Sequence, residues 1–285
     1  MKSKGPIEYD VLTLQDKHRS QKIWNGEISA SESRLIVRRH DYDLWQHLKN
    51  NTLHTRILNY FDYTGFRGVL EVGNIPCYSS IITALVERWR PKTHTFHMRT
   101  GETTIPMQDM KVMFGMVVDG TSILLPNAKS MDLFARQTLI FNLTSWFPMK
   151  DCFQGFRIFS PSLVNYIETS NVINDNSTEL EVQQKFRLYL FWLLGGTLFP
   201  DKSGNKFNSD FFIEMGDLQA LATQAWGAAT LSYLYHSLCR ASICDISIVN
   251  GFISLLQRII PFQPMISPFN NDQPEEQKPL AYKWS

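Results

Sequence analysis

The sequence predicts a mainly α fold, a single multi-helix domain with one small β-hairpin near residues 94–107. Three observations carry this. Apolar residues recur at three- and four-residue spacing through most of the chain, which is the period of one helix face. That period gives way to β-type runs at one place, on either side of Arg99-Thr100-Gly101-Glu102. Hydrophobic residues make up 44% and aromatics 13% of the 285 residues, against 19% charged, which supports a bulky core and argues against a disordered chain.

Residues 1–35 are polar and weakly patterned. They read as an extended N-terminal arm with a turn at Trp24-Asn25-Gly26 and with Val11, Leu12, Leu14, Ile23 and Trp24 as anchors. The helical body runs over 36–262. Within it, 41–62 reads as one helix on Leu44, Leu48, Leu53, Ile57, Leu58 and Phe61, stopped by Gly65. The clearest stripe follows: Tyr78, Ile81, Ile82, Leu85 and Trp89 fall at i, i+3, i+4, i+7 and i+11. Ser79 or Ser80 is placed to cap that helix and Pro91 to end it. The hairpin comes next, THTFHM and TTIPM, with Gly101 supplying a positive φ.

Gln108–Phe114 is a short helix before Gly115, and Val118-Asp119-Gly120-Thr121 is a turn. Further helices are expected over 131–143, 160–169 and 179–194. The last is marked by Phe186, Tyr189, Leu190, Leu193 and Leu194 and stopped by Gly195-Gly196. Two more are expected over 217–239, on Ala228, Leu231, Tyr235 and Leu238, and over 245–260, on Ile248, Phe252, Leu255, Leu256 and Ile259. The C-terminal tail, 263–285, is Pro-rich: five of the 13 prolines fall from Pro261 onward.

Several function classes are argued against. MKSKGPIEYD lacks the apolar stretch of a secretory signal. The longest apolar run, Leu188–Phe199, is short of the ~20 residues a membrane span needs and reads as a buried helix. Cys77, Cys152, Cys239 and Cys244 are scattered without CxxC spacing and read as reduced core thiols. With 28 Lys+Arg against 27 Asp+Glu, the net charge of +1 lacks the basic excess of a general nucleic-acid binder.

No catalytic, cofactor or metal constellation is legible. Glu87, Glu102, Asp109, Asp119 and Asp217 are the candidates for a two-metal nuclease set, but such enzymes place their acids on a β-rich sheet. Caps and ion pairs are the simpler reading. His94 and His97, on a strand, would point to opposite faces and so serve one ion poorly. His40, His47 and His54 would align only on a continuous helix, against which Asn50-Asn51 argues. Neither a G-x-S-x-G elbow nor a phosphate-cradling glycine loop is present. A pyridoxal-phosphate enzyme would need a large α/β sheet, a Schiff-base lysine and a phosphate cup, none of them legible. The best interaction candidate is Arg88, Arg90 and Lys92 with Arg99 across the hairpin, a cluster suited to phosphate backbone or an acidic protein surface. The competing reading buries Trp89 in the core stripe and pairs the arginines with Glu87 and Glu102.

The stretch GFRGVLEVGNIPCYSSIITALVERWRPKTHTFHMRTGETTIPMQDMKVMFGMVVDG, residues 65–120, resembles the plant mobile domain family, most specifically in ALVERWRPKTHTFH. FRLYLFWLLGGTLFPDKSGNKF (186–207), MGDLQALATQAWGAATLSYLYHSLCRAS (215–242) and NGFISLLQRIIPFQP (250–264) extend the likeness. GPIEYDVLTLQDKHRSQKIWNG (5–26) and PLAYKWS (279–285) resemble its MAINTENANCE OF MERISTEMS branch. The resemblance marks Glu87, Trp89, Pro91, His94, Phe96, His97, Gly101, Glu102, Asp109, Gly115, Asp119, Gly120, Trp226 and Gly227 as structural residues of the motif. It implies a transposon-derived, non-enzymatic nuclear module acting in meristem maintenance, genome stability and gene or transposon silencing, with the cytoplasm as the alternative compartment. It implies no cofactor, no membrane, and protein partners, among them a serine/threonine phosphatase-like relative. Direct nucleic-acid binding is the alternative function. The chain departs from the family pattern at Lys92, where Glu is usual, and at Pro106, Val117 and Arg258-Ile259-Ile260-Pro261.

Overall fold

The computed structural model describes residues 17–27, 29, 34–98, 101–123 and 131–259. Val11, Leu12, Leu14 and the C-terminal tail lie outside them. The described chain enters through α1 (Arg19–Trp24), β1 (Ile36–Val37), α2 (Tyr42–Asn50), α3 (Thr55–Tyr63), α4 (Arg67–Val72) and α5 (Ser79–Arg88). It continues through β2 (Trp89–Arg90), β3 (Thr95–Met98), β4 (Gly101–Thr103), α6 (Met107–Phe114), α7 (Leu133–Thr144), β5 (Phe153–Gln154), β6 (Arg157–Phe159) and α8 (Ser160–Thr169). The remainder is α9 (Glu179–Leu193), β7 (Lys206–Asn208), α10 (Phe211–Glu214), α11 (Leu218–Thr223), α12 (Trp226–Ala241), β8 (Ile248–Val249) and α13 (Ile253–Ile259).

The fold is mainly α, but it holds more strand than one hairpin. β2, β3 and β4 form a three-stranded antiparallel sheet, with Trp89 opposite Phe96 and His97 opposite Glu102. β5, β6 and β7 form a second, and β1 pairs with β8 in parallel. The additional strands are two or three residues long, too short to show a period of two.

α9 is the most buried helix. Thr178 and Glu181 open it with a reciprocal capping box. Phe186 on α9 meets Tyr60 and Phe61 on α3, and Glu179 takes hydrogen bonds from Arg56 and Tyr60. α7 and α8 pack on the same helix, while α12 packs on α6, β2 and β8. One continuous apolar core joins these layers.

Several expected elements differ, each for a local reason. Residues 19–24 of the arm are helical rather than extended, and Ile23 is buried. The helix expected over 41–62 is two, because His54 is extended and its Nδ1 accepts the Arg56 N–H as the cap of α3. Tyr78 is the exposed residue before α5, outside the buried stripe. Neither Ser79 nor Ser80 supplies a cap there; the Ser79 hydroxyl takes the Arg34 Nε–H instead. Trp89 and Arg90 leave the helix to pair with β3, so cross-strand bonding overrides the helical period at its last turn. The 217–239 segment breaks at Gln224, which bridges to Thr121, and 245–260 opens as strand β8. Gly195-Gly196 is not a stop: both lie in a π-helical turn, Leu194–Leu198, that follows α9 directly. A Cβ at Gly195 would sit 2.4 Å from the Phe207 ring, and one at Gly196 would sit 2.9 Å from the His40 carbonyl. Close packing, rather than capping, requires these two glycines.

Candidate interaction surface

The basic cluster sits on a corner built around Trp89. The indole is fully buried, edge-on to Phe96 with ring centroids 4.8 Å apart, and 5.1 Å from Tyr235 of α12. Its Nε1–H donates to the Cys239 sulfur at 3.3 Å. His94, in the turn after Pro91 with φ +54°, stacks its ring on the indole. The Thr104 hydroxyl donates to the His94 carbonyl at 2.6 Å, and the Tyr235 hydroxyl donates to the Ile105 carbonyl at 2.5 Å, locking the far side of the sheet. From the other direction, His18 donates through Nε2 to the Trp89 carbonyl at 2.9 Å while its Nδ1 accepts the Ser20 N–H. A carbonyl can only accept, so the imidazole is the neutral Nε2–H tautomer. Burial holds its pKa down at about 4.

The three described basic residues of the cluster do not share one environment. Arg88, the last residue of α5, is half-buried and donates to the Ala84 carbonyl at 3.2 Å. Arg90 is half-buried in β2, opposite Thr95, whose hydroxyl donates to Glu102. Burial pushes both guanidinium pKa values down, with Glu87 opposing the shift at Arg88 and Glu102 opposing it at Arg90. Lys92, in the turn, is exposed. Arg99 lies outside the described residues. The structure therefore places Arg88 and Arg90 in the field of the acids that the competing sequence reading named, with Lys92 beyond them at the water-facing edge.

The remaining motif residues build the support. Glu87 is buried on α5, while Glu102 and His97 face each other, exposed, across β3 and β4. Gly101 opens β4 at φ +130°. Asp109 lies in the first turn of α6, where a carboxylate favours the helix dipole. Gly115 ends α6 in the left-handed conformation that glycine adopts without strain. Asp119 is exposed at a bend. At Gly120 the backbone lies so close to α11 that a Cβ would stand 2.1 Å from the Thr223 carbonyl. The Gly227 N–H donates to the Val117 carbonyl at 2.8 Å, and Trp226 packs edge-on to Phe66 and Phe199. Asp217 caps α11 by accepting from the Gln219 and Ala220 N–H groups.

Sequence reasoning missed three members of the corner: His18, Tyr235 and Cys239. Each is remote in the chain from Trp89, and no local pattern links them. The expected core thiols are all free cysteines but only half-buried. Among the described residues, no group of three or more His, Cys, Asp or Glu side chains is placed to hold a metal ion. His40 and His47 point to different partners, the Asp201 carbonyl and the Tyr189 hydroxyl. No helix among the described residues is long and apolar enough to cross a membrane.

The sequence profile of the plant mobile domain matches residues 65–285. The chain is 31% identical over 253 residues to the serine/threonine-protein phosphatase 7 long form homolog of Arabidopsis thaliana, covering 89% of this chain and 18% of that protein. It is 31% identical over 280 residues to the protein MAINTENANCE OF MERISTEMS of the same plant, covering 96% of this chain and 54% of that protein. Against the Arabidopsis protein MAIN-LIKE 2, identity is 29% over 289 residues, covering 98% and 40%. The chain spans about half or less of the length of these curated relatives. No solved structure is significantly similar to it.

Proposed function

The chain belongs to the plant mobile domain family, and we propose that it is a non-enzymatic interaction module of a nuclear complex acting in gene and transposon silencing, genome stability and meristem maintenance. One observation carries the non-enzymatic reading. Several residues of the family motif serve the fold: Trp89 and Phe96 pack, Gly120 and Gly227 dock closely against neighbouring backbone, and Gly115 caps α6. The meristem role is supported by kinship to a protein whose name carries it. The partner surface is the water-facing edge of the Trp89 corner, with Lys92 outermost and Arg90 behind it. Positive charge held on a rigid turn suits an acidic protein surface. A serine/threonine phosphatase-like relative is the partner class we favour, on the kinship to the phosphatase-named homolog.

The same charges would also meet phosphate backbone, so salt dependence separates the two partner classes. A protein that contacts phosphates releases counterions, and its affinity falls steeply as salt rises. The purified chain is expected not to retain a random-sequence DNA duplex at low salt. Retention with a steep linear loss of log affinity against log salt would replace the protein partner with nucleic acid.

A further inference from the structure

α9 carries a lysine inside its buried surface. Lys185 is 8% exposed, on the same helix as Val182, Phe186 and Tyr189. Its ammonium donates to the Ile167 carbonyl at 2.9 Å and to the Ser170 hydroxyl at 2.7 Å, both at the C-terminal end of α8. A lysine has three N–H donors. The nitrogen also stands 5.8 Å from the centre of the Tyr189 ring; among the described residues no further hydrogen-bond acceptor reaches it, and no carboxylate lies within 4 Å of it. A buried cation without a counter-ion is costly, and burial alone pushes this one down to about 8.

Lys185 lines a cavity of about 530 Å³ between the α2–α3 turn, the end of α8 and the face of α9. That volume falls in the range of small-molecule sites. Ile57, Ile167 and Ile173 supply an apolar part of its lining. His47, Lys185 and Tyr189 supply a polar part. His47 shares a hydrogen bond with the Tyr189 hydroxyl at 3.1 Å, and burial pushes the His47 pKa down and the Tyr189 pKa up to about 12. Both are therefore neutral near pH 7. Of the carboxylates nearby, Glu168 is part of the lining but 57% exposed, 3.9 Å from His47, and Asp175, which pairs with His54 at 3.3 Å, is 96% exposed and outside the lining. The lining thus holds one buried cation, neutral polar groups, apolar side chains and a single carboxylate, Glu168, that is largely in water.

We propose that this cavity binds a small organic carboxylate with an apolar body, the carboxylate on the Lys185 ammonium and the body against Ile57, Ile167 and Ile173. The inference does not rest on the reading of the Trp89 corner. The ligand's carboxylate comes either from a free small molecule or from the C-terminus of a peptide.

Calorimetric titration of the full chain with benzoate, and with benzamide as the neutral control, tests the proposal. Benzoate is expected to bind and benzamide not to. The benzoate association constant should fall by about tenfold per pH unit above pH 8, as the buried amine loses its proton. Lys185→Met should weaken benzoate binding at least about tenfold. A peptide ending in a phenylalanine carboxylate, compared with its C-terminal amide, assigns the source: tighter binding than benzoate points to a protein C-terminus, weaker binding to a free small molecule. Should Lys185→Met fail to fold, the pH profile of the unaltered chain decides. The proposal is overturned by equal binding of benzoate and benzamide, by no benzoate binding at millimolar concentration, by an affinity that does not change between pH 7 and 9.5, or by a folded Lys185→Met protein that binds benzoate as well as the parent.

Discussion

The His18 imidazole and the Trp89 main-chain carbonyl, 71 residues apart in sequence, are joined by a buried hydrogen bond of 2.9 Å. This bond pins α1 to the corner that presents the basic edge. Burial of the imidazole makes the corner's stability depend on His18 staying neutral.

Acid should therefore loosen the fold through His18. Burial, helped by Arg90 and Arg19 and opposed by the bond to Trp89, holds its pKa at about 4 against an ordinary 6.5. Below 6.5 the unfolded chain takes up a proton that the folded chain refuses until about 4. Stability then falls as pH drops through that window, by up to about 3 kcal/mol, and His18 adds no further slope below it. Urea midpoints measured from pH 7 to pH 4 should show this slope in the parent, and His18→Gln should lack most of it.

Trp89→Ala should cost about 3–5 kcal/mol, because it empties the space between Phe96, Tyr235 and Cys239. Trp89→Phe should cost less, since it keeps the packing and loses the bond to sulfur. Chemical denaturation gives both values. Equal stability of the alanine variant and the parent would mean that the indole packs against nothing in solution.

Gly120→Ala should destabilise the protein by at least about 1–3 kcal/mol, since the new methyl would overlap the Thr223 carbonyl and push α11 off the 117–121 turn. Gly216→Ala is the control: its Cβ would meet nothing closer than the Ile213 carbonyl at 3.4 Å, and its melting temperature should stay near that of the parent.

The buried Arg136–Asp210 pair makes a further test. Its atoms approach to 2.5 Å, with Ser209 as a third member, and both side chains are under 5% exposed. Arg136→Met leaves the Asp210 carboxylate buried and should cost about 3–5 kcal/mol. Replacing both residues, Arg136→Met with Asp210→Leu, should recover a large part of that loss in a double-mutant cycle.

Local sequence carried some of this architecture and not the rest. The stripe on α5, the burial of Trp89 against Phe96 and the helix over 179–193 were legible, because each repeats a local period or sits beside its partner in the chain. β6 with β7 and β1 with β8 were not, since their partners are remote and each strand is only two or three residues long. The glycine pair misled for a related reason: Gly195 and Gly196 look like a stop, and only the positions of Phe207 and His40 reveal why they are glycine. At the site, the charges of Arg88, Arg90 and Lys92 were legible, and so were Glu87 and Glu102 as partners for the arginines; what local sequence left open was which of the two readings holds, because that depends on how deeply the packed sheet and helices bury Arg88 and Arg90. Lys185 was hidden inside a strong helical pattern, where nothing local distinguishes a buried lysine from an exposed one.

Lys92 is the cleanest probe of the central claim, that the water-facing edge of the Trp89 corner recognises a protein partner. Reversing Arg90 would set a new carboxylate near Glu102 and disturb the sheet, whereas Lys92 is exposed in the turn. The decisive measurement is quantitative affinity purification of the tagged chain and its Lys92→Glu variant from plant nuclei, with partners identified by mass spectrometry and both proteins' stability measured alongside. The expected variant stays within about 0.5 kcal/mol of the parent in stability and has lost the parent's specific partners. A stable variant that retains the same partners in the same amounts would contradict it.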